Sequence, residues 1–114
     1  KAVEILTTLS QQANVQLVTT EYVLVELCNA CSKIGLRALA IEFIDNYRSR
    51  NKCRVIDVND FLFEEAYSMY KTHVDKEWGM TDCMSFVVMK SLHITDAFTN
   101  DKHFEQSGFS RLIV

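Results

Sequence analysis

Apolar residues in this chain follow two alternating patterns, stripes at helical spacing and short uninterrupted runs. Ala2, Ile5, Leu6 and Leu9 recur at i, i+3, i+4 and i+7, which predicts an amphipathic first helix that ends near residues 10–14. The later helices are predicted at about 20–35, 38–47, 60–70, 81–92 and 101–108, the strands at 15–19, 53–58, 94–99 and 111–114, and a loop at 71–80.

Residues that begin or end helices support these boundaries. Thr20 and Asn59 are suitable N-caps because their side-chain oxygens can accept from free backbone N–H groups in the first turn. Gly35 follows the second predicted helix, and glycine readily adopts the conformation that ends a helix. We therefore expect the second helix to stop at Gly35.

The order of these elements indicates the fold class. Strands that alternate with helices at this spacing need crossover connections, so they form a parallel sheet covered by helices. A chain of 114 residues is large enough for one hydrophobic core, and with no proline and three glycines it has no obvious linker. We expect residues 1–114 to form a single α/β domain.

Charge and hydropathy limit the possible functions. A net charge of −3 argues against a protein that holds nucleic acid through a broad cationic surface. A local basic cluster, Arg48, Arg50, Lys52 and Arg54, is a candidate RNA contact, although such a run can equally be a solvated turn or a partner contact. No apolar run approaches the ~20 residues that span a bilayer, so we expect no membrane association and a cytoplasmic location.

The four cysteines allow two interpretations. Cys28 and Cys31 form a C-x-x-C pair, which could be a redox site, but they lie well past the first turn of a predicted helix. Cys53 and Cys83 stand alone, so no second pair completes a zinc site. We favour small buried apolar side chains in a reducing compartment.

Two aspartates near the C-terminus are candidate metal ligands. Asp82 follows Thr81, a suitable N-cap, and therefore falls in a first turn whose dipole favours an ionised carboxylate. Asp101 directly follows the strand-like segment at 97–99, and ligands of α/β proteins collect beyond the carboxyl ends of strands. The two acids could share a cleft, although each alone could simply stabilise a helix start.

Glu26 is the third candidate acid. The second predicted helix is apolar over most of its circumference, which favours a buried helix. Its remaining polar strip consists of Tyr22, Glu26, Asn29 and Lys33, and this strip either faces water or lines a cleft.

Several segments resemble a PIN-domain ribonuclease, a family that includes the toxins of VapBC-type toxin–antitoxin pairs. The similar segments are Val18–Asn29, Asp75–Trp78, Thr81–Cys83, Phe86–Met89, Phe98–Asp101 and His103–Phe109. The resemblance implies a PIN-like three-layer sandwich with a parallel sheet flanked by helices. Family members open with a central strand that carries the first acidic ligand, and this sequence begins after it. We expect that strand to come from upstream residues, another segment or a second chain.

The resemblance also implies a function, a Mg²⁺- or Mn²⁺-dependent endoribonuclease that cleaves single-stranded RNA. Glu26, Asp82 and Asp101 would be the catalytic metal ligands, since clustered carboxylates need a cation and hard oxygen ligands suit Mg²⁺ or Mn²⁺. Thr81 and Ser85 could orient a ligand carboxylate or water, and the candidate phosphate contacts are His103, Lys90 and Lys102. The implied partners are RNA, an antitoxin protein and a second copy of the chain.

A second hypothesis follows from the ligand that this sequence lacks. With the first acid absent, the site could bind metal weakly, and the chain would then be a catalytically impaired or inactive PIN-like domain that binds a partner or RNA.

Overall fold

The computed structural model describes residues 15–113, which belong to two compact units, Val15–Val58 and the segment from Asn59 onward. The predicted first helix lies outside the described residues, as does residue 114. The described elements are β1 (Leu17–Thr20), α1 (Glu21–Ala30), α2 (Arg37–Ser49), β2 (Cys53–Ile56), α3 (Asp60–Thr72), α4 (Met80–Ser91), β3 (Asp96–Ala97), α5 (Lys102–Gln106) and β4 (Ser110–Arg111).

The unit Val15–Val58 is built on a parallel pair of strands. β1 and β2 run in register from Leu17 opposite Cys53 to Thr20 opposite Ile56. The Thr20 hydroxyl accepts from the backbone N–H of Val23 at 3.3 Å, so the predicted cap of α1 is confirmed.

A hydrogen bond from a tyrosine side chain links α2 to β2 in this unit. The Tyr47 hydroxyl donates to the backbone carbonyl of Arg54 at 2.8 Å. Burial, with a smaller contribution from the negative charge of the nearby Cys53 thiolate, raises the pKa of Tyr47 to about 12. The phenol therefore stays protonated, and able to donate, well above neutral pH.

Two predictions about α1 are wrong. The helix ends at Ala30 rather than at Gly35, because the Ser32 hydroxyl donates to the carbonyls of Cys28 and Asn29 at 3.0 and 2.9 Å and satisfies the last turn. No residue of α1 is buried either. Within its unit α1 packs on β1 and α2, which are too small to cover a helix that is apolar nearly all round.

The unit that begins at Asn59 is centred on α4. Asn59 caps α3 as predicted, with its side-chain oxygen accepting from the backbone N–H of Leu62 at 2.8 Å. α3 packs against α4, and α4 supplies half of the buried apolar side chains described in this unit. Those of α4 are Cys83, Met84, Phe86, Val88 and Met89.

An aromatic cluster joins α4 to the C-terminal segment. Phe86 is fully buried, and its ring meets the rings of Trp78 and Phe104 edge to face at centroid distances of 5.1 and 4.9 Å. The Phe109 ring lies 5.8 Å away on a third side. Trp78 also donates from Nε1 to the side-chain oxygen of Gln106 at 3.0 Å. These contacts hold α5 against α4.

The second parallel pair, β3 and β4, is shorter than predicted. Asp96 pairs with Ser110 and Ala97 with Arg111. The chain turns immediately after Ala97, because Thr99 donates its backbone N–H to the Ala97 carbonyl at 2.9 Å, and this turn ends the strand. Parallel pairing in both units confirms the predicted α/β class.

Arg111 and Gly108 fix the connection around α5. The Arg111 guanidinium lies 2.7 Å from a Glu105 carboxylate oxygen and donates to the Asn100 carbonyl at 2.6 Å. Gly108 has a φ of 96°, a conformation that side chains disfavour, and lets the chain reverse after α5.

Within residues 15–113, no helix has the length and apolar character needed to cross a lipid bilayer.

We predict that Phe86→Leu lowers the free energy of unfolding by about 2 kcal/mol or more, because it removes aromatic contacts and leaves a cavity. Urea titration followed by Trp78 fluorescence and circular dichroism measures this change. Phe61→Leu, at a residue that is 73% exposed on α3, is the matched control and should change stability by no more than about 0.5 kcal/mol. Equal effects of the two substitutions would contradict the central role of Phe86.

Candidate metal centre

Asp82 lies in the first turn of α4, as predicted, but Thr81 is not the N-cap. The helix begins at Met80 with Gly79 as its N-cap. The Asp82 carboxylate accepts from the backbone N–H of Gly79 at 3.1 Å through Oδ2. Because this carboxylate satisfies the backbone at the helix start, α4 begins two residues earlier than a Thr81 cap would place it.

Asp101 is the N-cap of α5. Its Oδ1 accepts from the backbone N–H of His103 at 2.9 Å, and its own N–H donates to the Thr99 hydroxyl at 3.1 Å. The carboxylate is therefore oriented on both sides by short local hydrogen bonds.

These two helix starts bring Asp82 and Asp101 together with His103. One ligand atom from each residue lies within 4.8 Å of the other two. His103 Nδ1 is 3.2 Å from Asp82 Oδ2 and 3.4 Å from Asp101 Oδ1. The side chains of Asp82, Asp101 and His103 are 24%, 42% and 29% exposed, so the cluster is accessible from solvent.

Each aspartate uses one oxygen for structure and keeps the other available. Within residues 15–113, the hydrogen bonds of these carboxylates involve Oδ2 of Asp82 and Oδ1 of Asp101. Their second oxygens, Asp82 Oδ1 and Asp101 Oδ2, have no hydrogen-bond partner in this part of the chain. An oriented carboxylate with a free oxygen is a ready ligand for a hard cation.

The donor set fits a divalent cation. Two carboxylates in close proximity repel each other, and a cation between them relieves that repulsion. The two carboxylates suit a hard divalent cation, whereas imidazole is a commoner ligand of zinc and other transition metals. His103 can either coordinate the cation or hold Asp82 in place by a hydrogen bond.

The third predicted ligand and the two predicted supporting hydroxyls belong to different units and differ in exposure. Glu26 is exposed on α1 in the Val15–Val58 unit, and its role as a third acidic ligand stays a prediction. Thr81 and Ser85 are half-buried and one turn apart on α4, and neither hydroxyl hydrogen-bonds to another residue in the 15–113 range. Their supporting role also stays a prediction.

The predicted phosphate contacts are exposed, with one exception. The cations of the basic cluster surround the start of β2, and Lys90 and Lys102 lie at the end of α4 and the start of α5. His103 instead belongs to the acidic cluster, which sequence reasoning missed. The Asp-x-His spacing was the available signal, because a residue two positions after an N-cap lies beside the capping side chain. The exposed residues of the basic cluster are Arg48, Arg50, Lys52 and Arg54.

All four cysteines are free thiols, but the prediction that they are buried holds for Cys83 only. Cys28 is exposed because α1 is not enclosed, and Cys31 and Cys53 are half-buried. Burial, and secondarily the adjacent Asp82 carboxylate, raises the pKa of the Cys83 thiol. A thiol that stays protonated is a poor nucleophile, which argues against a catalytic role for Cys83.

Comparison with known proteins identifies the family. The PIN domain model matches residues 1–109, and the chain therefore belongs to the PIN-domain family. Among solved structures it is similar to VapC20 of Mycobacterium tuberculosis, a toxin that cleaves the sarcin–ricin loop. The TM-score is 0.78 at 25% identity, over 90% of this chain and 78% of VapC20. No curated protein matches the sequence significantly. The predicted PIN-like fold and VapC-type resemblance are confirmed.

We predict that iodoacetamide alkylates Cys83 at least about tenfold more slowly than Cys28 in the folded protein, because Cys83 is buried and its pKa is raised. Timed labelling followed by peptide mass spectrometry measures the two rates. In urea the difference should disappear. Rapid labelling of Cys83 in the native protein would contradict the described packing of α4.

Proposed function

We propose that this protein is a divalent-metal-dependent endoribonuclease of the toxin type, acting on single-stranded RNA. One observation carries the proposal: in a PIN-family chain, ligand atoms of Asp82, Asp101 and His103 lie within 4.8 Å of one another. The similarity to VapC20, which cleaves an RNA loop, supports RNA as the substrate.

Asp82 and Asp101 hold the cation, Mg²⁺ or Mn²⁺, through the carboxylate oxygens that the helix starts leave unused. When bound, the cation supplies Lewis acidity toward the phosphodiester and the attacking water. His103 keeps the two carboxylates at their present separation, and Thr81 and Ser85 orient the ligands from α4. Glu26 is proposed as the third acid, and Asp82 and Asp101 carry the catalytic role with it.

The partners are proposed from the family and from the surface. RNA is the substrate, with the basic cluster at 48–54 as a contact for its phosphates. The other partners are a cognate antitoxin and a second copy of the chain. Exposed apolar side chains on α2 support protein association, since Leu39 is 61% and Phe43 52% exposed. We propose a single PIN-like domain that acts in the cytoplasm.

The Asp82→Asn/Asp101→Asn double variant tests the site most directly. Asparagine keeps the size and the accepting oxygen of aspartate, so the helix caps survive while both charges are lost. We expect RNA cleavage in Mg²⁺ or Mn²⁺ to fall by at least about a hundredfold, a typical loss when charge stabilisation at a reaction centre is removed. Gel electrophoresis of a labelled single-stranded RNA measures the cleavage rate.

Asp45→Asn is the matched control, because it makes the same chemical change at an exposed position of α2. Cleavage by Asp45→Asn should equal that of the unmodified protein. If the double variant cleaves RNA as fast as this control, the proposed site is wrong.

The alternative function, an inactive PIN-like domain that binds RNA or a partner, has support in the same geometry. His103 already contacts both aspartates, at 3.2 and 3.4 Å, and could hold the carboxylates together without a metal. Calorimetric titration with Mn²⁺ separates the two functions. Heat that the double variant abolishes supports the nuclease, whereas no heat and no cleavage at millimolar metal supports the binding protein.

A further inference from the structure

A pocket of about 420 Å³ lies in the unit that begins at Asn59, where the end of α3 leads through residues 73–79 into α4. Its volume falls in the range of pockets that hold small organic ligands. Asp82, Asp101 and His103 do not line this pocket. The residues that matter for its chemistry are Tyr70, His73, Lys76, Glu77, Trp78 and Gly79.

Aromatic rings dominate one side of this pocket. The His73 and Trp78 rings lie 4.9 Å apart at an angle of 33°, and Tyr70, 48% exposed, adds a third ring. Trp78 is only 7% exposed and is held by its hydrogen bond to Gln106 and by the Phe86 ring, so it forms a fixed base under the pocket, and Tyr70 is the exposed ring. Rigid aromatic rings beside open space are the usual platform for stacking an unpaired nucleobase.

Polar groups on the remaining wall can contact the edge of a base. Lys76 offers a donor and Glu77 an acceptor, the two functions that base edges present. His73 Nδ1 lies 2.9 Å from the Met69 carbonyl, which can only accept, so Nδ1 carries the proton. In the neutral ring Nε2 is then a further acceptor.

The pocket and the acidic cluster meet at Gly79. Gly79 lines the pocket, and its backbone N–H donates to Asp82 Oδ2 at 3.1 Å. A polynucleotide with a phosphate at Asp82 and Asp101 therefore has a neighbouring nucleotide close to this opening. If the base of that nucleotide unstacked from its neighbours in the RNA, it could stack on the aromatic side of the pocket.

We infer that this pocket binds one unpaired nucleobase of the RNA, next to the phosphate that is cleaved. The inference rests on the proposed function, since it assigns a base-binding subsite to the same RNA. Stacking on Tyr70, above the buried Trp78, would select flexible, single-stranded substrates, because a paired base cannot enter.

Trp78 gives the experiment a reporter at the pocket itself, because it is the single tryptophan of the chain. Short oligoadenylate, oligocytidylate and oligouridylate are titrated into the full chain with EDTA present, so that cleavage does not interfere. An oligomer of abasic ribose phosphates is the matched probe without bases. We expect at least one base-containing oligomer to quench Trp78 fluorescence and the abasic oligomer to leave it unchanged.

Tyr70→Ala tests the pocket wall, and Phe61→Ala on the same helix is its control, since Phe61 is highly exposed and does not line the pocket. Tyr70→Ala should raise the dissociation constant measured by the quenching titration about tenfold or more, the loss expected for one stacked base. Phe61→Ala should leave this dissociation constant unchanged. Circular dichroism verifies that both variants fold.

Three results would overturn the inference: no quenching by any oligomer, equal quenching by the abasic oligomer, or unchanged quenching in Tyr70→Ala. The Asp82→Asn/Asp101→Asn variant separates this test from that of the nuclease, because it should lose cleavage and keep base-dependent quenching. If the Asp variant still cleaves RNA, the proposed reaction site fails, whatever the fluorescence shows.

Discussion

The edge-to-face packing of Phe86 against Phe104 is the contact on which the candidate metal centre depends. α5 has five residues, and a helix of that length has almost no stability of its own in water. Phe104 anchors it on α4, and Arg111 of β4 holds both Glu105 within α5 and Asn100 just before it. Asp101 and His103 therefore reach Asp82 because a buried aromatic ring holds their short helix in place.

The two carboxylates proposed as metal ligands also cap helices. Asp82 and Asp101 each stabilise a helix start with one oxygen and leave the other without a partner in the described part of the chain. This arrangement fixes both side chains in advance, so the proposed binding of a cation would cost little conformational entropy. It also explains why each aspartate, taken alone, can be interpreted as a cap.

Much of the fold and part of the candidate site could be predicted from the sequence, because they depend on local chemistry. The alternation of strands and helices indicated the α/β class, and Thr20 and Asn59 cap their helices as expected because a cap needs only its own first turn. The meeting of Asp82 and Asp101 followed from the rule that strand ends gather ligands. The predicted helix ends were wrong where two nearby residues could each end the helix: the Asp82 carboxylate, rather than the Thr81 hydroxyl, satisfies the start of α4, and Ser32, rather than Gly35, ends α1.

The central claim, that Asp82 and Asp101 share one divalent cation, can be tested by anomalous X-ray diffraction from crystals grown with Mn²⁺. We predict one strong manganese peak with oxygens of both aspartates about 2.0–2.2 Å away, as hard cations of this size require. The same map would show whether Glu26 joins the site. A manganese peak elsewhere, or no peak at a saturating concentration, would contradict the account.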